Sequence, residues 1–463
     1  MEDKFPEMVA AHPELLTHHF AMAGCTEEAV INCQKAGQLA LERSANVEAA
    51  THYEQSLELL SQFPESTERD QRELDMQMAL GPALVAARGF ADSGVGRAYA
   101  RAWELCQRVE NNTHLPFVLR GRQVFHYVRG ELNKAQKFAK QFHDLAEKLQ
   151  DPALIVGGCH ALGQTLFQHG ELTKAHSTVE KGIALFDPEK HRLPNWPGGQ
   201  SGEQCYLYSA FSLWMLGYPD QAICRDEEAL AMANKLSNPT NLINTLAFVA
   251  AVHVLRRELS AVRLRAEATM EKSAEQRSPF FLAYGTVLNG WARAAQEQGE
   301  DGIAEIKQAI TAYRATDAQT WLTFFLALQA ETYARAKRFG DGLATVAEAL
   351  ELAEKTGEHC WQAELNRIKG EMLLAVSPDN HAEAESCFSK ALEVARHQQA
   401  KSWELRAAVS LGHLWQKQDK VEETHKMLSK IYDWFTEGFD TPDLKVAKAL
   451  LNDLMPPGNV RAS

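Results

Sequence analysis

The chain has 463 residues, 45% of them hydrophobic, and 61 acidic against 48 basic side chains leave a formal charge of −13. That balance argues against a nucleic-acid binder, which needs a basic stripe to meet phosphates; 28 glycines and 16 prolines are too few for a disordered chain. No run of 18 apolar residues marks a membrane span, and the start, MEDKFPEMVAAHPELL, lacks the basic and then apolar order of a secretion signal, so a soluble, cytoplasmic protein is expected.

In chain order, residues 12–60 read as three helices. His12-Pro13-Glu14 opens the first and Gly24 closes it; Thr26-Glu27-Glu28 gives the second an N-cap and an acidic first turn. Asn46 starts the third, with Ala49, Tyr53 and Leu57 on one face. After the break Pro64-Glu65-Ser66-Thr67 comes a pair over 71–110 around Gly81, turning at Gly89–Gly94, and then a pair over 116–149. Cys159 to Leu185 reads as two short amphipathic helices joined at His169-Gly170. The segment DPEKHRLPNWPGGQSG, residues 187–202, carries three prolines and three glycines and is expected to be irregular. Thr441-Pro442-Asp443 starts a last helix, stopped by Pro456-Pro457. No stretch alternates apolar with polar residues as a strand would.

The order Leu162-Gly163, Leu166, Gly170, Ala175, Val179 and Gly182 returns as Leu411-Gly412, Trp415, Asp419, Thr424, Leu428 and Ile431. In both copies the small residue precedes the Ala or Thr opening the second helix by 12 positions. Aligning the Gly163 position gives Ala210, Ala247, Ala292, Ala330, Gly370 and Gly412, with Ala222, Ala261, Ala304, Gly342, Ala384 and Thr424 opening the second helices. This is the order of a tetratricopeptide repeat (TPR), lengthened by longer helices and connections. A repeat array also explains how so long a chain buries its apolar faces without one large core. The fold class expected is all-α: a right-handed, TPR-like α-solenoid superhelix of about ten or eleven helix pairs with a C-terminal capping helix. Residues 1–62 would join to the repeats, 63–455 would form the superhelix, and 456–463 would be a disordered tail.

Several segments carry a family resemblance. They include HPELLTHHFAMAG, KAGQLALERSANVEAATHYEQSLELL, LGPALVAARGFADSGVGRAYARAWELC, LGYPDQA, GWARAAQEQGEDGIAEIKQ and the run SWELRAAVSLGHLWQ…WFTEGFDTPDLKVAKALLNDL. They resemble the TPR region at the C-terminal end of bacterial proteins built as class III adenylate/guanylate cyclase, signal-transduction NTPase and repeats, collinearly from about Phe5 to Leu454. The resemblance implies a regulatory or partner-binding module. The sequence holds no Gly-Lys dipeptide, hence no phosphate-binding P-loop, and no cyclase metal-binding aspartates can be assigned.

Other chemistry is weakly signalled. Gly94-x-Gly96 lacks a third glycine and a preceding strand; His18-His19, with Cys25 and Cys33, lacks zinc-ligand spacing; no Ser, Cys or Thr sits in a nucleophile elbow. The eight cysteines form no Cys-x-x-Cys pair and fit buried thiols. No catalytic residue, cofactor or metal is therefore expected.

The concave face is the candidate site. By similarity to TPR arrays, its register places His160, Gln164, Phe211, Trp214, Asn241, Asn244, Phe248, Asn289, Arg293 and Arg367 toward a partner. Aromatics, amides and arginines suit recognition better than a water-facing surface. Amides and Arg293 could clamp a peptide backbone or carboxylate. The alternative is a groove filled by neighbouring superhelical turns. Trp196, in the irregular insert, reads either as a loop gating that face or as a plug folded into it. Three functions follow: a non-catalytic protein-interaction and signal-input module acting with a cyclase or NTPase domain; a small-molecule sensor with a metabolite in the groove; or the regulatory part of a cyclase. Neither nucleic acid nor membrane is an expected partner.

Overall fold

The computed structural model describes residues 13–109, 113–191, 196–197, 200–236, 238–296 and 299–454. The expected tail and the first residues lie outside these. Among the described residues there are 22 α-helices and no strand. An entry helix, α1 (Pro13–Met22), leads into α2 (Thr26–Glu42), α3 (Asn46–Leu60), α4 (Thr67–Arg88) and α5 (Ser93–Cys106). Then come α6 (Leu115–Val128), α7 (Leu132–Leu149), α8 (Pro152–Gln168) and α9 (Leu172–Leu185). The middle comprises α10 (Ser201–Leu216), α11 (Pro219–Leu236), α12 (Pro239–Leu255), α13 (Leu259–Glu275), α14 (Pro279–Ala295) and α15 (Gly299–Arg314). The last part comprises α16 (Leu322–Arg335), α17 (Phe339–Thr356), α18 (Gln362–Val376), α19 (His381–His397), α20 (Lys401–Lys417), α21 (Val421–Tyr432) and α22 (Pro442–Asp453). From α2 to α21 the helices pack as ten successive antiparallel pairs, and α22 covers the end. The chain is a TPR-like α-solenoid.

Among the described residues, seven of the ten pairs share one device in their turns. In α6–α7, Gly130 has φ +70° and the Glu131 N–H donates to the His126 carbonyl at 2.9 Å. In α12–α13 the left-handed residue is Arg257, φ +64°, and the Glu258 N–H donates to the His253 carbonyl at 3.0 Å. This six-to-one bond satisfies a carbonyl that the ending helix leaves free.

Close helix approach explains the small residues. A Cβ on Gly163 would lie 2.3 Å from Val179 Cγ1 of the paired helix. The sequence register slips in α14–α15: Ala304 is exposed, and the tight crossing is Gly302 against Gly290, two residues earlier on each helix. Similarly, Val262 rather than Ala261 is the fully buried residue opening α13. A spacing of 12 is preserved in α14–α15; only the phase differs, because alanine fits a crossing or an exposed face equally well. The irregular insert also ends two residues early, since Ser201 and Gly202 already belong to α10.

The superhelix closes on itself. The Gln319 N–H donates to the Val128 carbonyl at 2.8 Å, and Gln398 Nε2 donates to the His359 carbonyl beside Gly170. Trp403 packs on Trp214 with ring centroids 4.8 Å apart, and Cys360 Sγ lies 3.3 Å from Gln168 Oε1. One continuous buried cluster therefore runs from Ala91 to Trp403. Its centre is Trp321, whose ring lies 5.3 Å from Phe211, 5.1 Å from Phe248 and 5.9 Å from Trp361.

The crossing at Gly302 gives a direct test. An added Cβ would meet the Gly290 carbonyl oxygen at 2.6 Å, a backbone atom that cannot swing away. Gly302→Ala should cost about 1–3 kcal/mol in urea denaturation. Ala304→Leu, on the exposed face, should cost under about 0.5 kcal/mol.

Candidate functional site

Among the described residues, closure leaves a partly open cavity on the inner face. About 70 Å3 is open to the centres of water-sized spheres, room for several waters or one side-chain-sized group. First helices of five successive pairs line it: Arg120, Val124, Tyr127 and Val128 from α6, His160 and Gln164 from α8, Gln204 and Tyr208 from α10, Asn244 and Phe248 from α12, Phe280 and Phe281 from α14. Phe90, Tyr313, Thr320 and Trp321 complete it. The walls differ in character. Phe280 touches Phe90, Phe281 and Tyr313, forming an aromatic stretch, with centroids 6.2, 4.9 and 5.0 Å away. The other wall is polar: Arg120 Nη2 lies 3.2 Å from His160 Nδ1, and Gln204 Nε2 donates to Asn244 Oδ1 at 3.1 Å.

Three tyrosine-centred contacts stiffen the walls. Gln168 Nε2 donates to Tyr127 Oη at 2.9 Å, the Tyr127 and Tyr208 hydroxyls lie 2.8 Å apart, and Tyr313 Oη donates to the Thr320 carbonyl at 2.7 Å. Trp321 itself has φ +75°, a left-handed conformation that costs a bulky residue energy and persists only where neighbours enforce it. Its N–H donates to Glu358 Oε1 at 2.8 Å. Burial raises the Glu358 carboxyl to about 7, so near neutrality it is partly uncharged.

The sequence-predicted residues divide into groups. His160, Gln164, Asn244 and Phe248 come together on the cavity wall. Phe211 lies in the aromatic core against Trp321, and Trp214 is covered by Trp403 with Arg406 5.0 Å over its ring. Asn241 is buried on α12, its N–H donating to the Asn238 side chain. Asn289 and Arg293 both bond Glu305 of their own pair, at 2.8 Å each. Arg367 belongs to an ion-pair seam. Trp196 is buried, packs between Phe117 and Phe142, and donates to Ser201 Oγ at 2.8 Å, away from the cavity wall.

That seam is the second built feature of the inner face. Arg257 makes a two-pronged pair with Glu331 at 2.6 and 2.7 Å; Arg367 does the same with Glu364 at 2.7 and 2.8 Å. Arg406 bridges Glu364 at 3.3 Å, Asp443 of α22 at 2.8 Å and the Leu255 carbonyl. The seam thus ties α12, α16, α18, α20 and the cap together. Burial alone would raise the carboxyls of Glu331 and Glu364. Arg257 and Arg367 hold Glu331, and Arg367 and Arg406 hold Glu364, below the ordinary range.

Sequence reasoning missed Arg120, Gln123, Tyr127, Tyr208, Thr320 and Trp321. A signal existed for Arg120 alone: an arginine among apolar residues in LPFVLRGRQVFHYV, where α6 should turn its buried face.

No family model matches the chain. It is 24% identical over 408 residues to an uncharacterized protein of Rhizobium meliloti (strain 1021), covering 86% of this chain and 39% of that protein. The chain therefore spans well under half the length of that relative. Among solved structures it is similar to a Rap protein complexed with competence and sporulation factor, at TM-score 0.52 and 12% identity, covering 86% of this chain and 99% of that one. It is also similar to the Rap conjugation gene regulator of plasmid pLS20 in complex with the Phr* peptide, at TM-score 0.50 and 13% identity over 80% and 96% of the two chains. A chain of the APC/C hetero-tetramer Cut9–Hcn1 gives TM-score 0.50 at 10% identity, over 93% and 76%. At these identities the likeness is one of fold: an α-solenoid of TPR type.

The depressed carboxyls fix the sign of a pH effect. Their stabilisation is present above the unfolded value near 4.5 and is lost as pH falls through the folded values. Urea denaturation should show stability declining below about pH 4.5. Glu364→Gln, which leaves Arg367 and Arg406 short of a partner, should cost about 3–5 kcal/mol at neutral pH and flatten the acid limb.

Proposed function

We propose that this chain is a non-catalytic interaction and signal-input module that holds a peptide-sized ligand or protein segment at its inner face. The observation that carries the reading is the cavity built by the first helices of five successive pairs, with amides and a cation on one wall and aromatics on the other. Few, oriented polar groups in an apolar enclosure are what a recognition site requires. Two solved structures of similar fold are named as complexes with competence and sporulation factor and with a peptide, and a third as a protein assembly, which supports this class of occupant. The small size of the cavity also favours a second reading, a sensor in which a metabolite fills the same space.

The finer proposal is that the module regulates, or belongs to, a cytoplasmic nucleotide cyclase or signalling NTPase. Its support is the resemblance of the segments quoted above to the repeat region of such proteins.

Two measurements decide these points. In Gln164→Leu/Asn244→Leu, the thermal midpoint should stay within a few degrees of wild type, while a partner captured by the wild-type chain from its own cells is lost. Unchanged capture would remove the inner face from the recognition surface. An antibody against this chain should detect, in a lysate of those cells, a band more than twice its 51.6 kDa if the module belongs to a cyclase or NTPase polypeptide. A band at 51.6 kDa would make it a separate adaptor.

A further inference from the structure

Arg120 differs from the arginines of the ion-pair seam. Arg257, Arg367 and Arg406 each meet at least one carboxylate within 3.4 Å. Arg120 is 1% exposed, and its hydrogen-bond partners are all neutral: the Pro197 carbonyl at 3.1 Å, Gln123 Oε1, and His160 Nδ1 at 3.2 Å. Among the described residues, no carboxylate forms an ion pair with it. Burial pulls its pKa down only to about 10, so at neutral pH the guanidinium remains a cation. A buried charge without a counter-charge is costly, and proteins ordinarily pair it.

The neighbouring polar atoms have the same bias. His160 Nδ1 faces a donor that cannot accept, so the neutral ring carries its proton on Nε2, with the Gln164 side chain as its neighbour. Burial, and then Arg120, keep this imidazole neutral. Gln123, 0% exposed, presents its oxygen to Arg120 and leaves its Nε2 hydrogens without an acceptor. Arg120 has five N–H groups and three acceptors. The cluster is therefore a full positive charge with surplus donors, two of its residues lining a cavity whose far wall is aromatic. Surplus donors around a cation call for an anion. The planar fork suits a carboxylate, and the aromatic wall calls for an apolar body attached to it.

We propose that Arg120, flanked by His160 and backed by Gln123, forms a carboxylate subsite, and that the ligand's apolar body lies against Phe248, Phe280 and Trp321. The assignment rests on the reading of the inner face as a recognition site and names the chemistry it takes. The carboxylate belongs either to the C-terminus of a peptide ending in an apolar residue or to a free aromatic carboxylic acid.

The test uses the full chain and two matched pairs of probes: Gly-Gly-Phe against its C-terminal amide, and 3-phenylpropionate against 3-phenylpropionamide. Calorimetric titration measures affinity, and the Nε–H resonance of 15N-labelled Arg120 reports location. The expected result is saturable binding of at least one acid, its amide weaker by about tenfold or more. The Arg120 resonance should shift with that acid, and binding should be lost in Arg120→Gln. Tripeptide binding alone identifies a peptide terminus, phenylpropionate binding alone a free acid, and either supports the subsite. Equal affinity for acid and amide, no binding of any probe, or undiminished binding in folded Arg120→Gln overturns it. Should Arg120→Gln not fold, Gln123→Leu takes its place beside the wild-type acid–amide comparison, which decides by itself. Acid-selective binding with partner capture indifferent to Gln164→Leu/Asn244→Leu would leave the subsite standing and remove the interaction reading. Loss of capture without acid selectivity would do the reverse.

Discussion

Closure of the solenoid around Trp321 is the constraint on which the other features depend. A helix-pair array needs only neighbour contacts to bury its apolar faces. Here the stretch before α16 also reaches across to α6, α8, α10 and α12, so residues nearly 200 positions apart share one core. The tryptophan accepts a left-handed backbone to make that reach, and buried Glu358 holds its N–H. Most of the groove that an open superhelix would offer is consumed in the process. What remains is a cavity, with walls set by the side chains that closure failed to cover.

Two kinds of contact hold the turns together, with different physical consequences. Aromatic packing is non-directional and tolerates small shifts, and its strength scales with the area removed from water. The arginine–carboxylate seam from Arg257 to Asp443 is directional and fixes register, at a desolvation cost that only complete pairing offsets. The seam is nearly complete, which suits a structural role. The Arg120 cluster lacks its carboxylate, which suits a site awaiting one. The contrast between these two groups of arginines separates scaffold from candidate chemistry more sharply than burial does.

Much of the scaffold was legible locally. Helix boundaries often followed turn glycines and prolines, because these act within one turn of chain; Thr26, expected to cap α2, instead lies inside it, and Cys25 holds the cap position without a side-chain bond. The 12-residue spacing between small residues marked the crossings, and it survived in α14–α15 with only its phase misread. Left-handed turns at Gly130 and Gly170 could be anticipated, whereas the equivalent turn at Arg257 could not, since nothing in an arginine announces φ +64°. The inner-face register brought His160, Gln164, Asn244 and Phe248 onto the cavity wall. The same register could not foresee that Trp403 would cover Trp214 or that Glu305 would hold Asn289 and Arg293 within their own pair.

The sequence by itself determined the repeat: which segments are helical, how they pair, and which face of each pair turns inward. Those properties arise from periodicity, capping and small-residue spacing, all readable within a few tens of residues. Only the tertiary structure decided whether the inward face stays open. Closure depends on the sum of small rotations from pair to pair, and on contacts such as Gln319 to Val128 and Trp403 to Trp214 between distant residues. For the same reason the apolar surroundings of Arg120 in the sequence hint that it is buried, and only the folded chain shows that its charge lies there without a carboxylate.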